Sequence, residues 1–103
     1  VNAAFLNFTK ALSKRGLVDG VNVNSINPGM TSTDRLITII QNNADREGIS
    51  FVNAEANALK NIGLDRFTTP EEVAELSYFL CNPKVRHLTG TEINLDGGKK
   101  PTI

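Results

Sequence analysis

The chain has 103 residues with eleven basic and eleven acidic side chains, a balance that gives no net field to draw in nucleic acid or an anionic membrane surface. No apolar run approaches the roughly 20 residues of a membrane span, and no basic segment precedes a short apolar one as in a secretory leader. Cys81 is the one cysteine, which excludes an internal disulfide and suits a reducing, cytoplasmic compartment.

Val1 to Arg15 reads as a helix. Ala4, Phe5, Phe8, Ala11 and Leu12 recur on one face while Asn7, Lys10 and Lys14 project elsewhere, so the apolar stripe is expected to meet a core. Gly16 is the expected stop, and Asp19-Gly20 a turn. A strand follows, with Val21, Val23 and Ile26 as β-branched members. Pro28 cannot donate to a ladder, so the strand is expected to end at Asn27, with Gly29 turning the backbone into a small, hydroxyl-rich loop through Thr33. Open α/β sheets present ligands on loops of this kind, at the carboxyl ends of their strands.

From Asp34 to Asp65, Leu36, Ile37, Ile39 and Ile40, then Ile49, Phe51, Val52, Ala54, Ala58, Leu59 and Ile62, are spaced as two short amphipathic helices around Arg46-Glu47-Gly48. A third helix has clear punctuation. Thr69 is a plausible N-cap, Pro70 fits the first position, and Glu71 and Glu72 complement the positive end of the dipole. Val73, Leu76, Tyr78, Phe79 and Leu80 supply its apolar face, and Asn82-Pro83 stops it. Cys81, at the end of that face, is expected to pack rather than to react. His87 has no second ligand at metal spacing and reads as a solvated loop residue, so no metal site is expected. In the last strand Thr91, Ile93 and Leu95 alternate with Glu92, Asn94 and Asp96, and Gly97-Gly98 ends it.

The strand with Asn27-Pro28-Gly29, the helix start Arg66-Phe67-Thr68-Thr69-Pro70-Glu71-Glu72-Val73, the Phe79-Leu80 run, and Leu88-Thr89-Gly90-Thr91 leading to Asp96-Gly97-Gly98 stand in the order found in one family. Together they resemble the carboxyl-terminal half of a short-chain dehydrogenase/reductase subunit. The resemblance implies an α/β fold. Residues 1–103 would be part of a single doubly wound, Rossmann-type parallel sheet, contributing its last two strands and flanking helices. A complete subunit of the family is roughly twice as long, so the domain is expected to be incomplete. The Gly-rich phosphate loop, the residue that reads the ribose and the catalytic serine are not in this sequence.

The same resemblance gives the first helix a second reading, as part of a helical subunit interface, and implies site residues. Counted back from Asn-Pro-Gly without a gap, the family's catalytic lysine falls on Asn2, and its tyrosine falls before Val1. Asparagine can hold ribose hydroxyls but brings no charge to lower a tyrosine pKa. Pro28, Gly29, Thr31 and Thr33 fall in the family's cofactor loop, Thr31 where main-chain groups meet a nicotinamide carboxamide. The Thr33 hydroxyl has two readings, a bond to the cofactor or a cap on the next helix. Residues 34–65 match the family's substrate lid, with Leu36, Ile37 and Ile40 among its apolar members. They would either face a partly apolar small-molecule substrate or cover the sheet edge.

Implied, then, is part of an NAD- or NADP-dependent oxidoreductase that interconverts an alcohol and a carbonyl, this segment closing the cofactor pocket and forming the lid. Two other classes stay open: a non-catalytic relative kept for binding or assembly, and a truncated or proteolysed piece without a function of its own. Two buried parallel strands make a poor isolated fold. The chain is therefore expected to pair with a missing amino-terminal half or with other copies, as a homo-oligomer, and to show no catalysis alone.

Overall fold

The structure is a computed structural model and describes residues 2–99, the side chain of Asn2 excepted. Its elements are α1 (Asn2–Asp19), β1 (Ser25–Pro28), α2 (Asp34–Glu47), α3 (Phe51–Ile62), α4 (Pro70–Leu80), a short 3-10 turn (Pro83–Val85) and β2 (Glu92–Leu95). The α/β class is as expected, and the two strands are parallel neighbours, pairing from Ser25 with Glu92 to Pro28 with Leu95.

β1 begins later and ends later than the residue pattern implies. The Ser25 N–H donates to Thr91 O and the Gly29 N–H to Leu95 O, both at 2.9 Å. Odd-numbered residues therefore bond to β2, and the main chain of Ile26 and Pro28 faces the opposite edge. Pro28 stays in the strand because the donor it lacks would point to the side where no described strand lies. Before Ser25, Gly90 N–H still donates to Val23 O at 2.7 Å, and side chains supply the other bonds. Val23 N–H donates to Thr89 Oγ1 at 3.0 Å, Asn24 Nδ2 to Leu88 O at 2.8 Å, and Thr91 N–H to Asn24 Oδ1 at 3.2 Å. The main chain is satisfied without strand geometry.

α1 departs furthest from expectation. It runs through Gly16 to Asp19, and its buried positions are Thr9, Ser13 and Gly16, one polar and small face. The hydroxyls of Thr9 and Ser13 donate back to Phe5 O and Lys10 O at 3.0 and 2.6 Å, so neither is left unpaired. A Cβ on Gly16 would lie 2.2 Å from Val21 O, and one on Gly90 (φ +70°) would lie 2.5 Å from Ser13 Oγ. This approach is too close for large side chains, so the stripe turns outward, with Phe5 59% and Phe8 61% exposed and Ala4, Ala11 and Leu12 also at the surface. The core role expected for that stripe is therefore not found within this chain.

The apolar core lies elsewhere, between α2 and α3. It comprises Leu36, Ile40 and Ala44 from α2, Ala54 from α3, and Phe67 just beyond, with Ile49, Phe51, Ala58, Leu59 and Ile62 packed around them. α4 starts with a capping box: Thr69 Oγ1 accepts from Glu72 N–H and Glu72 Oε1 accepts from Thr69 N–H, both at 3.1 Å. Its half-buried face is Val73, Leu76 and Leu80; Tyr78 and Phe79 are exposed. Cys81 is exposed too. It follows Leu80 by about 100° of helix rotation as the chain leaves α4, which removes it from the packed face expected for it. The whole is elongated, with a radius of gyration of 17.2 Å and extents of 57 × 26 × 21 Å, against about 13 Å for a compact domain of this length.

Candidate functional site

On β1 and β2 one set of side chains alternates onto a common face: Ser25, Asn27 and Gly29 beside Glu92, Asn94 and Asp96. This face carries polar groups. Asn27 Nδ2 donates to the Glu92 carboxylate, and lies 3.4 Å from Asn94 Oδ1. An open cleft of about 410 Å³ lies at the carboxyl end of the strands, lined by Leu6, Asn27, Pro28, Gly29, Glu92, Asn94 and Asp96. Leu6 is one helical turn along α1 from Asn2, so the two positions share a side of the helix. The side chain of Asn2 itself lies outside what the structure describes.

Gly29 is not a turn residue here. Its N–H continues the ladder to Leu95, and its φ is not in the left-handed region. Space is the constraint, since a Cβ on Gly29 would come within 3.1 Å of both Cα and Cβ of Asp96. The chain then runs extended past Thr68, with which Thr31 forms an isolated parallel bridge. Thr68 N–H donates to Met30 O at 3.0 Å, and Ser32 N–H donates to Thr68 O at 2.8 Å. In this pattern the N–H and C=O of the intervening residue point to the other side. The Thr31 C=O accepts from Thr33 N–H at 2.8 Å, and among the described residues no acceptor meets the Thr31 N–H. The Thr31 hydroxyl is spent on Gly29 O at 2.9 Å.

Thr33 caps α2, its hydroxyl accepting from Leu36 N–H at 3.3 Å. One lone pair of that oxygen remains for another donor. Leu36 and Ile40 are buried in the α2–α3 core, whereas Ile37 is 49% exposed. Pro28 and Gly29 thus share the cleft. Thr31 and Thr33 lie on the loop leading from it, and of Leu36, Ile37 and Ile40 only Ile37 is exposed.

Residue patterns did not single out Leu6, Asn27 or Asn94. The alternation within each strand was visible, but which two alternating sets share a face depends on the register between strands. Thr68 was missed for a stronger reason, because a single main-chain bridge has no sequence signature. The reciprocal cap of Thr69 and Glu72 did have one, the Thr-x-x-Glu spacing.

The donor set suits a nicotinamide carboxamide. That group has one acceptor and one amide donor, and an extended loop with a spare N–H beside a C=O can complement both. Comparison with known proteins gives the family. A family model described as enoyl-(acyl carrier protein) reductase matches residues 1–100. The chain belongs to the short-chain dehydrogenase/reductase family.

The NADPH-dependent reductase BacG of Bacillus subtilis is 33% identical over 103 residues, covering 100% of this chain and 40% of that protein. A short-chain dehydrogenase family protein from Francisella tularensis superposes with a TM-score of 0.86 at 35% identity, over 97% of this chain and 41% of that one. L-sorbose reductase from Gluconobacter frateurii, solved with NADPH and L-sorbose, gives 0.89 at 28% identity, over 98% and 39%. The chain spans 30 to 40% of the length of the curated relatives it matches most strongly, so it corresponds to part of such a subunit. No described helix is long and apolar enough to cross a membrane.

Proposed function

We propose that residues 1–103 form the carboxyl-terminal part of an NAD(P)-dependent cytoplasmic reductase that interconverts a carbonyl and an alcohol. This part closes the nicotinamide side of the cofactor pocket and supplies the substrate lid. The observation that carries the reading is the outward, unpaired N–H of Thr31 beyond a cleft lined by Pro28 and Gly29. Pro28, Gly29, Thr31 and Thr33 would hold the nicotinamide end of the cofactor, which supplies or takes up a hydride when bound. Ile37 is the lid residue that would meet an apolar part of a small substrate; Leu36 and Ile40 give the lid its own core. The open edge of β1 receives the amino-terminal part, and the exposed stripe of Phe5, Phe8 and Leu12 contacts another copy.

Calorimetric titration tests this. The 103-residue chain alone should bind NADH and NADPH no tighter than micromolar, because no Gly-rich loop and helix start are present to hold a pyrophosphate. In the full-length protein Thr33→Val should weaken cofactor binding by about 1 kcal/mol, the net worth of one hydrogen bond. A fall in melting temperature with cofactor affinity unchanged would assign Thr33 to capping alone.

Asn2 favours a second reading, a relative that binds without catalysing. Where a tyrosine stands four residues upstream in the full-length protein, Asn2→Lys should lower its pKa, since a cation within about 4 to 6 Å favours the phenolate. The pH profile of carbonyl reduction would then move toward neutral. A folded Asn2→Lys protein with an unmoved profile would support the non-catalytic reading.

A further inference from the structure

Thr68 is buried and held on three sides. Its N–H and C=O bond Met30 and Ser32 on either side of Thr31, the Ser32 hydroxyl adds a bond to Thr68 O at 3.3 Å, and the Thr68 hydroxyl reaches Leu95 O at the end of β2, also at 3.3 Å. One residue earlier, Phe67 is buried in the α2–α3 core. Two consecutive residues therefore join the α2–α3 apolar core and the loop after β1 to the last residue of β2, which lies far along the chain.

We propose that Thr68 is a positioning residue for the cofactor. By bonding the neighbours of Thr31 and making no bond to the main chain of Thr31 itself, it holds that residue's N–H outward before any ligand arrives, beside a C=O that accepts from Thr33 N–H. Pre-ordering a loop removes a cost that binding would otherwise meet. Because Phe67 is anchored in the lid, the lid's packing and the outward face of Thr31 are set together. The inference rests on the reading of Pro28 to Thr33 as the nicotinamide side of the pocket, and its test separates the two.

Amide exchange on the full-length protein comes first. The Ser32 and Thr68 amides should be protected and the Thr31 amide fast; a Ser32 amide exchanging at open-loop rates would overturn the proposal. Binding to the full-length protein follows, using NADH or NADPH and, beside it, ADP-ribose with the matching 2′ group, which lacks nicotinamide. Thr68→Pro deletes the donor to Met30 and should weaken the whole dinucleotide about 5- to 10-fold while leaving ADP-ribose unchanged. Thr68→Val keeps the main chain, loses only the bond to Leu95, and should show the same selective loss at roughly threefold, so the test survives if the proline variant misfolds.

Equal losses for both ligands would mean a merely structural role and overturn the proposal, as would no loss in either. Thr31→Pro spares the bridge, whose bonds use Met30 and Ser32, but removes the outward N–H. If Thr31→Pro leaves dinucleotide affinity intact, the cofactor reading of the loop fails, and with it the proposal. If it weakens binding while both Thr68 variants do not, the positioning role alone fails.

Discussion

The α2–α3 hairpin and the strand half of the molecule bury opposite kinds of side chain. Between Thr33 and Phe67 the buried residues are Leu36, Ile40, Ala44, Ala54 and Phe67, all apolar and all supplied by that stretch. Its two helices carry their own caps from Thr33 and Ser50. Around β1 and β2 the buried residues are Thr9, Ser13, Ser25 and Thr68, while Phe5, Phe8, Tyr78 and Phe79 face outward. The Ser25 hydroxyl is buried there with no hydrogen-bond partner among the described atoms. Burying one large apolar side chain stabilises a fold by about 1.5–3 kcal/mol, and the α2–α3 hairpin obtains that from its own residues. The strand half forgoes it, and gains instead a close approach of helix to strands through glycine and hydroxyl residues. A region built that way leaves its large apolar side chains outside, whereas the α2–α3 hairpin buries its own.

Ile40→Ala should have the largest effect and the most local one. Ile40 is 3% exposed, and truncations of this kind cost about 2–5 kcal/mol. Amide exchange should show protection lost along α2 and α3, while Ser25 and Gly29, whose N–H groups bond β2, keep theirs. Loss of protection in both places would mean that the two regions unfold as one unit, and the comparison would break.

How far the residues alone disclosed this division differs by region. Local signals were reliable where a side chain acts on its own neighbourhood: the caps at Thr33 and Thr69 and the helices α2 and α3; the parallel pairing of the strands came from the family resemblance instead. They failed where the deciding partner is distant. Gly16 looks like a helix stop, and only the approach of Val21 O explains a glycine inside α1. The stripe from Ala4 to Leu12 has the periodicity of a core face, and periodicity cannot tell a core from a surface awaiting cover. The cleft was legible as a place, at the end of the Asn-Pro-Gly strand. Its polar floor of Asn27, Glu92 and Asn94 was not, because it depends on register. Thr68 was invisible for want of any side-chain pattern.

A moderate effect is expected from Phe8→Ser. A residue 61% exposed should change the stability of the isolated chain by no more than about 0.5 kcal/mol. Removing part of an apolar patch should instead lower self-association, which light scattering across a concentration series would measure. If Phe8→Ser destabilises the chain as strongly as Ile40→Ala, α1 has a buried apolar face after all, and the contrast between the regions is lost.

The smallest effect belongs to the junction between them. The Glu72 carboxyl is lowered from its usual 4.5 to about 2, first by its hydrogen bond with Arg66 and then by the N–H of Thr69. Arg66 Nη1 lies 2.6 Å from Glu72 Oε1 and also donates to Phe67 O at 3.1 Å, so the pair ties the start of α4 to the segment that follows α3. A carboxyl whose pKa is depressed on folding contributes fully above its unfolded value, and the contribution fades as pH falls toward the folded one. The window therefore runs from about 4.5 down to about 2. Across it the Thr69 amide should lose protection against exchange while the amides of α2 keep theirs, with the loss larger at low salt because the pair is solvent-exposed. Glu72→Gln retains an acceptor for the Thr69 N–H but not the charge, and should flatten the dependence. If the Thr69 amide in the unaltered chain behaves alike at both ends of the window, the cap holds without its charge, and the junction is set by the Thr68 bridge instead.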